Sequence, residues 1–180
     1  TLFPYTTLFR SKHKDDYTYL HSISVSALMM NFAREIRLDE HTVQEFGIAG
    51  MMHDVGKVGI PEAILTKSDE LSRSERELVQ THPKFGHQLL SAGGHIDATT
   101  LDVCLNHHEK VDGTGYPNNI TGVEISLASR MGAICDVFDA VTSHRSYRQP
   151  WSPSFALASM LSWHGHFDEA LLRKFARSIG

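Results

Sequence analysis

Residues 107–117 read His-His-Glu-Lys-Val-Asp-Gly-Thr-Gly-Tyr-Pro and place two adjacent histidines directly before a glycine-rich stretch. Over residues 101–108 the apolar side chains and the second histidine follow the i, i+3, i+4, i+7 spacing of one helix face. The composition of residues 112–119 is typical of a loop. The pattern therefore predicts a helix whose last turn delivers His107 and His108 to the start of a loop.

A second adjacent pair, His53-Asp54, is followed by Val55-Gly56-Lys57. Neighbouring side chains on a helix point about 100° apart. Such a pair can therefore converge on one site only near a helix end, where Gly56 permits the chain to turn. We expect this pair to lie at the carboxyl end of a helix.

Helical periodicity extends over most of the chain, without repeats, linkers or a convincing strand pattern. The stripe from His21 to Ile36 and the stripe from Leu127 to Val141 are the clearest cases. Further helices are expected over about 41–52, 62–65, 74–79, 82–89, 101–108, 154–163 and 168–179. The fold class predicted is an all-α, compact bundle of about seven helices around a central metal site.

The chain has 180 residues, 41% of them hydrophobic, which suits one globular domain. No apolar run reaches the length of a membrane span, so no membrane contact is expected from this segment. Cys104 and Cys135 lie within apolar helical patterns and indicate core thiols in a reducing, cytoplasmic compartment. The formal net charge of −4 provides no field that would attract a DNA or RNA duplex.

Residues 1–11 resemble the in-frame translation of a common DNA sequencing adapter. We therefore predict that this segment is not native and exclude it from fold reasoning. The domain is expected to occupy residues 12–180 and to be truncated from a longer protein.

Twelve histidines are many for this length, and a subset has features typical of metal ligands. Asp136 lies on a small or acidic face of its helix, opposite the apolar stripe, and His21 and His82 are expected near the beginnings of their helices. Imidazole with carboxylate is the ligand set of first-row transition metals such as iron, manganese, nickel or zinc. The predicted metal ligands are His21, His53, Asp54, His82, His107, His108 and Asp136.

The motifs at residues 53–57 and 107–117 closely resemble the signatures of the HD-GYP domain family. The likeness runs from about Asp16 to the carboxyl end and includes residues 60–65, 136–142, 145–148 and 167–168 in the same order. It implies an HD-domain-like fold and a bacterial phosphodiesterase that hydrolyses cyclic di-GMP to pGpG or onward to GMP. Such domains commonly follow a receiver or sensory module.

The resemblance also implies how the ligands divide between two divalent metal ions, for which iron or manganese is expected ahead of nickel or zinc. By position, His21, His53, Asp54 and Asp136 would hold one ion, while His82, His107 and His108 would hold the other, with Asp54 bridging both. Two ions of this kind generate a bridging hydroxide that attacks the phosphodiester. Where some family members have a glutamate that binds a third metal, this chain has Tyr17, which favours two.

Further residues are assigned from their place beside these ligands. Asp54 and Lys57 are the predicted catalytic residues. Phosphate binding is assigned to Lys57 and to Arg145 and Arg148, whose i, i+3 spacing would let both guanidinium groups reach one anion. Tyr116 is a candidate either for stacking on a guanine base or for capping the glycine-rich loop. Asp139, one turn after Asp136, is expected to act at the substrate side or to orient a water or a ligand imidazole.

Three other functions remain open from the sequence. A receptor could bind the dinucleotide without cleaving it, although none of the seven ligand positions is lost. An HD-type phosphohydrolase could act on another nucleotide. A structural helical bundle could carry the histidines by coincidence.

Overall fold

A computed structural model describes the backbone of residues 5–144 and 149–179 and the side chains from residue 18 onward within those ranges. The described residues form nine α-helices and two short 3-10 turns, Val55–Gly59 and Gly122–Glu124, and contain no β-strand. The helices are α1 (Tyr5–Glu35), α2 (Glu40–Met52), α3 (Glu62–Leu65), α4 (Arg73–Val79), α5 (His82–Ala92), α6 (Ala98–Asn106), α7 (Leu127–Thr142), α8 (Pro153–Ser162) and α9 (Glu169–Ser178). Seven of these have nine residues or more, which confirms the predicted all-α bundle.

Side-chain caps explain where most of the helices begin. Asp39, Asp97 and Asp168 each accept a hydrogen bond from the backbone N–H three residues later. Ser72 forms a reciprocal capping box with Glu75 at the start of α4. Because such caps satisfy N–H groups that the helix leaves without partners, the sequence determines these starting points locally.

Helix α7 is the centre of the bundle and contacts α1, α6, α8 and α9. Its apolar stripe, which includes Met131, Ile134 and Phe138, is buried. The ring of Phe175 from α9 packs edge-to-face on both Phe32 of α1 and Phe138. Cys104 and Cys135 are free, buried thiols, as the sequence indicated. The core thus fixes α1 and α7 side by side.

Helix α1 begins earlier than expected. His21 was placed near the start of its helix, but α1 runs from Tyr5, so His21 lies well inside it. The backbone of residues 5–11 belongs to the same helix, and the side chain of Tyr17 lies outside the described ones. The apolar stripe that the sequence shows begins only at His21 and so covers only the later part of this helix.

The 3-10 turn Val55–Gly59 crosses the start of α5 at very short range. A Cβ atom on Gly56 would lie 1.9 Å from the carbonyl oxygen of His82 and 2.5 Å from the backbone nitrogen of Gly86. Only glycine permits this approach, which brings the end of α2 against the residue that begins α5. None of the helices in the described part of the chain combines the length and apolar character that a bilayer crossing requires.

The close crossing leads to a stability prediction. Gly56→Ala should lower the free energy of unfolding by about 1–3 kcal/mol or more. The new methyl group would overlap backbone atoms of α5, which can move away only if the helix itself shifts. Chemical denaturation of the metal-free protein would measure this change.

Gly93→Ala is the matched control, since its Cβ would meet nothing closer than 3.5 Å and its φ of −79° suits any residue. It should leave stability unchanged or raise it by about 0.4–1 kcal/mol. Equal stability of the two variants would contradict the packing argument.

Candidate metal centre

The seven predicted ligand residues come from five helices and meet at one place in the bundle. His21 lies on α1, His53 and Asp54 follow α2, His82 begins α5, His107 and His108 follow α6, and Asp136 lies within α7. Three groups of these residues have potential ligand atoms within 4.8 Å of one another: Asp54, His82, His107 and His108; His21, His53 and Asp54; and His53, His107 and Asp136. The structure therefore brings together every residue in the predicted set.

Asp54 lies between two groups of histidines and directs one oxygen to each. Its Oδ2 is 3.3 Å from Nε2 of His53 and 3.8 Å from Nε2 of His21. Its Oδ1 is 3.3 Å from Nε2 of His82 and 3.8 Å from Nε2 of His107. A carboxylate with this geometry can serve two cations at once.

Asp136 faces the first of these groups. Its Oδ1 is 3.0 Å from Nε2 of His21 and 3.8 Å from Nε2 of His53. The small or acidic face of α7 that the sequence indicated therefore points at the histidines.

Backbone carbonyls hold three of the imidazoles through Nδ1. His53 Nδ1 lies 2.7 Å from the carbonyl oxygen of Gly50, His82 Nδ1 2.7 Å from that of Val79, and His107 Nδ1 2.9 Å from that of Val103. A carbonyl oxygen can only accept, so Nδ1 carries the proton in each ring and Nε2 keeps its lone pair. This arrangement is typical of histidines that bind metal through Nε2.

Asp139 holds the fourth imidazole in the same manner. Its Oδ2 lies 2.6 Å from Nδ1 of His21, and its Oδ1 accepts a hydrogen bond from the hydroxyl of Ser143. Of the roles expected for Asp139, orientation of a ligand imidazole has a visible contact. Its role in substrate binding stays a prediction.

The buried polar atoms of the site fit a bound cation. His53 Nε2 and Asp54 Oδ1 are buried without a hydrogen-bond partner among the described residues. Orphaned buried polar atoms of this kind are rare and call for a ligand, and imidazole with carboxylate suits a divalent transition metal. The donors of the cluster therefore fit a divalent metal ion.

Carboxylates and burial shift the pKa values of the histidines in opposite directions. Burial alone would lower the pKa of His21. Hydrogen bonds to Asp136 and Asp139, together with the charges of Asp136 and Asp54, instead raise the pKa of His21 to about 9. Burial lowers the pKa of His107 well below its usual value, and it lowers that of His108 to about 4. His107 and His108 are thus neutral at neutral pH, in the form that binds metal.

Lys57 and Asp54 form an ion pair through Nζ and Oδ2. Burial alone would raise the pKa of Asp54, but the charges of Lys57 and His53 hold it well below its usual value. The side chain of Lys57 is 29% exposed, so a cationic group is accessible beside the buried carboxylate. Arg145 and Arg148 lie outside the described residues.

Tyr116 stacks on His108, with ring centroids 4.6 Å apart and planes inclined by 25°. Glu109 is buried and accepts a hydrogen bond from the backbone N–H of Asn118. The sequence analysis missed Asn118 and also Gly86, the partner of the Gly56 crossing. Neither position stands out locally, because each acquires its role only through a contact distant in sequence.

A sequence-family profile described as HD domain matches residues 8–171. The chain belongs to the HD domain family. The resemblance that the two histidine motifs carry is thereby confirmed.

Two curated relatives of this HD domain are phosphodiesterases by name. The chain is 45% identical over 174 residues to a cyclic di-GMP phosphodiesterase of Pseudomonas aeruginosa, covering 97% of the chain and 42% of the relative. It is 37% identical over 126 residues to the 3′3′-cGAMP-specific phosphodiesterase 2 of Vibrio cholerae, covering 69% of the chain and 24% of the relative. The chain spans less than half the length of either relative.

The fold is also that of solved HD proteins. An HDG"Y"P protein from Bdellovibrio bacteriovorus superposes with a TM-score of 0.76 at 18% sequence identity, covering 90% of this chain and 52% of that one. At this identity the likeness concerns the fold alone, and it supports the all-helical bundle described above.

The raised pKa of His21 predicts a pH dependence of the metal-free domain. A folded-state pKa of about 9, above the unfolded value of 6.5, gives stability that is fully present below about pH 6.5 and is lost as the pH rises through about 9. His53, whose pKa is also raised, contributes in the same direction. Denaturation of chelator-treated protein across this pH range should therefore show falling stability.

His21→Asn is the variant that tests this origin, since it retains polarity at Nδ1 but cannot be protonated. The slope between pH 6.5 and 9 should become shallower in this variant. An unchanged slope would show that His21 does not exchange its proton with folding in this range.

Proposed function

We propose that this HD domain hydrolyses a cyclic dinucleotide, with cyclic di-GMP as the first candidate, through two divalent metal ions. The observation that carries the proposal is Asp54, whose two oxygens face separate groups of histidines. The name of the relative from Pseudomonas aeruginosa supports cyclic di-GMP as the substrate. The presence of all seven ligand residues favours an enzyme over a receptor that binds without cleavage.

We propose two ligand sets that share Asp54. His21, His53, Asp54 and Asp136 would hold one ion, and Asp54, His82, His107 and His108 the other; the short distances around Asp54 and Asp136 support this division. We propose iron or manganese, since mixed imidazole and carboxylate donors suit both. Such ions polarise phosphoryl oxygens and lower the pKa of coordinated water when bound.

The chain's own residues would bind and orient the substrate. Lys57 is placed to exchange its contact with Asp54 for one with a phosphate oxygen once cations neutralise that carboxylate. Asp139 fixes the ring of His21, and the three carbonyl-bound histidines cannot rotate without losing a hydrogen bond. On the sequence pattern alone, we assign Arg145 and Arg148 to the second phosphate and Tyr116 to the substrate side.

A second substrate has a specific observation in its favour. A relative that is named for 3′3′-cGAMP is 37% identical to this chain. The two dinucleotides share the phosphodiester ring and differ in one base. Competition between them in a single assay would establish which is preferred.

The extent of the domain is also a proposal. We propose that the functional domain occupies residues 12–180, that residues 1–11 are not native, and that the domain works in the cytoplasm of a bacterium downstream of a receiver or sensory module. The share of the relatives that the chain spans supports a longer parent protein. The sequence of the full-length gene would test this directly.

The central experiment compares the turnover of cyclic di-GMP by the wild type and by the Asp54→Asn variant. Wild-type protein loaded anaerobically with Fe²⁺ or Mn²⁺ should convert cyclic di-GMP to pGpG or GMP. Asp54→Asn should lower kcat by at least about a hundredfold and reduce the metal bound per chain, because it removes the charge that both ions would share. Chromatography of the products and metal analysis would measure the two effects.

Asp69→Asn is the matched control, because Asp69 is exposed and belongs to none of the histidine and carboxylate groups of the site. It should behave as wild type in both measurements. Cyclic di-GMP binding by the wild type without turnover would favour the receptor and overturn the proposal.

Lys57 gives a separate prediction. Lys57→Met should raise KM about 10- to 100-fold, the loss expected for a charge-assisted hydrogen bond to phosphate, while two metal ions remain bound. Lys57→Arg should recover part of the loss. A normal KM in Lys57→Met would exclude a phosphate contact for this residue.

A further inference from the structure

His108 differs from the other histidines of the site in what holds its ring. His21, His53, His82 and His107 each have Nδ1 within 2.9 Å of a carbonyl or carboxylate oxygen. Within the described part of the chain, no hydrogen bond is made by the ring of His108. Its neighbours are aromatic: Tyr116 stacked at 4.6 Å, His107 at 4.1 Å and the edge-on ring of His82 at 5.0 Å.

The loop that carries Tyr116 folds back onto His108, the residue on which Tyr116 stacks. The backbone N–H of Tyr116 donates to the carbonyl oxygen of His108 at 3.2 Å. A Cβ on Gly115 would lie 2.4 Å from the backbone nitrogen of Lys110 and 2.5 Å from Cα of Glu109. Only glycine permits the chain to approach Glu109 and Lys110 so closely. This approach and the hydrogen bond of the Tyr116 N–H fix the backbone of Tyr116 beside His108.

Glu109 ties the two ends of this loop together. The residue is 3% exposed, and its Oε1 accepts a hydrogen bond of 2.6 Å from the backbone N–H of Asn118, nine residues further along the chain. Burying a carboxylate is costly unless it accepts strong hydrogen bonds. The Asn118 side chain has a separate link, a 3.5 Å hydrogen bond to Asn106.

We propose that Tyr116 is a positioning residue that sets the ring plane of His108 by stacking, and that Glu109 anchors the loop that carries it. The inference rests on the proposed metal site, in which His108 belongs to the group with Asp54, His82 and His107. Stacking restricts rotation of the imidazole about χ2 and replaces the hydrogen bond that orients the other four rings. A tyrosine that only contacts substrate would leave metal binding unaffected.

Titration of chelator-treated protein with Mn²⁺ under anaerobic conditions tests this positioning without turnover. Tyr116→Leu should weaken one of the two equivalents about 10- to 100-fold, the usual effect of removing a group that orients a ligand. Tyr116→Phe keeps the ring and should bind both equivalents as the wild type does. Equal losses in Leu and Phe variants would overturn the stacking argument.

Glu109 and Asn118 provide an independent pair. Glu109→Ala removes the acceptor of the Asn118 N–H and should weaken the same equivalent as Tyr116→Leu. Asn118→Ala keeps that N–H, loses only the bond to Asn106, and should bind Mn²⁺ normally. Thermal melting of the metal-free variants identifies any that fail to fold. If one pair is lost in this way, the other pair, Tyr116→Leu with Tyr116→Phe or Glu109→Ala with Asn118→Ala, still tests the proposal.

The steady-state constants separate positioning from substrate binding. Tyr116→Leu should lower kcat at limiting Mn²⁺ and recover with excess metal, whereas loss of a substrate contact would raise KM at every metal concentration. Wild-type affinity for both equivalents in Tyr116→Leu and in Glu109→Ala would refute the inference. If the wild type binds Mn²⁺ but cleaves no dinucleotide, the proposed function fails while the affinity comparison remains decisive for Tyr116.

Discussion

A buried carboxylate that must be neutralised is the constraint on which the site depends. Asp54 is 4% exposed, and an isolated charge in such a place would be very unfavourable. The fold places the cationic Nζ of Lys57 beside this carboxylate. Four imidazole Nε2 atoms also lie between 3.3 and 3.8 Å from its oxygens, where they and Asp54 could share bound cations. These imidazoles come from α1, α5 and the ends of α2 and α6, so the site forms only when the bundle has assembled.

Several imidazoles can point to one place because their residues lie at the ends of helices. His53, His82 and His107 all lie at the end or beginning of a helix, where a nearby carbonyl is available to Nδ1. That bond leaves Nε2 directed inward as an acceptor. His21, which lies inside α1, takes a partner for Nδ1 from α7 through the carboxylate of Asp139. Position within a helix thus determines which kind of partner orients each ring.

Much of this arrangement could be predicted from the sequence, because local patterns encode it. The helical stripes and the caps at Asp39, Ser72 and Asp168 place the helices to within a few residues. The paired motifs at helix ends identify the ligand candidates. What could not be predicted depends on contacts between distant segments, such as the return of the loop at Gly115 and the Gly56 crossing. The start of α1 was missed because the recognisable apolar stripe begins only at His21.

The two groups of histidines differ electrostatically, although they share Asp54. Around His21 the carboxylates outweigh burial, and a proton is retained up to a pKa of about 9. Around His107 and His108 burial dominates, and the rings are neutral over the physiological range. In the proposed two-metal site, a cation entering the first group would displace a proton, so its affinity would increase with pH. A cation entering the second group would meet the lone pairs of His107 and His108, which are already available. The shared carboxylate would then serve two positions whose metal affinities depend differently on pH.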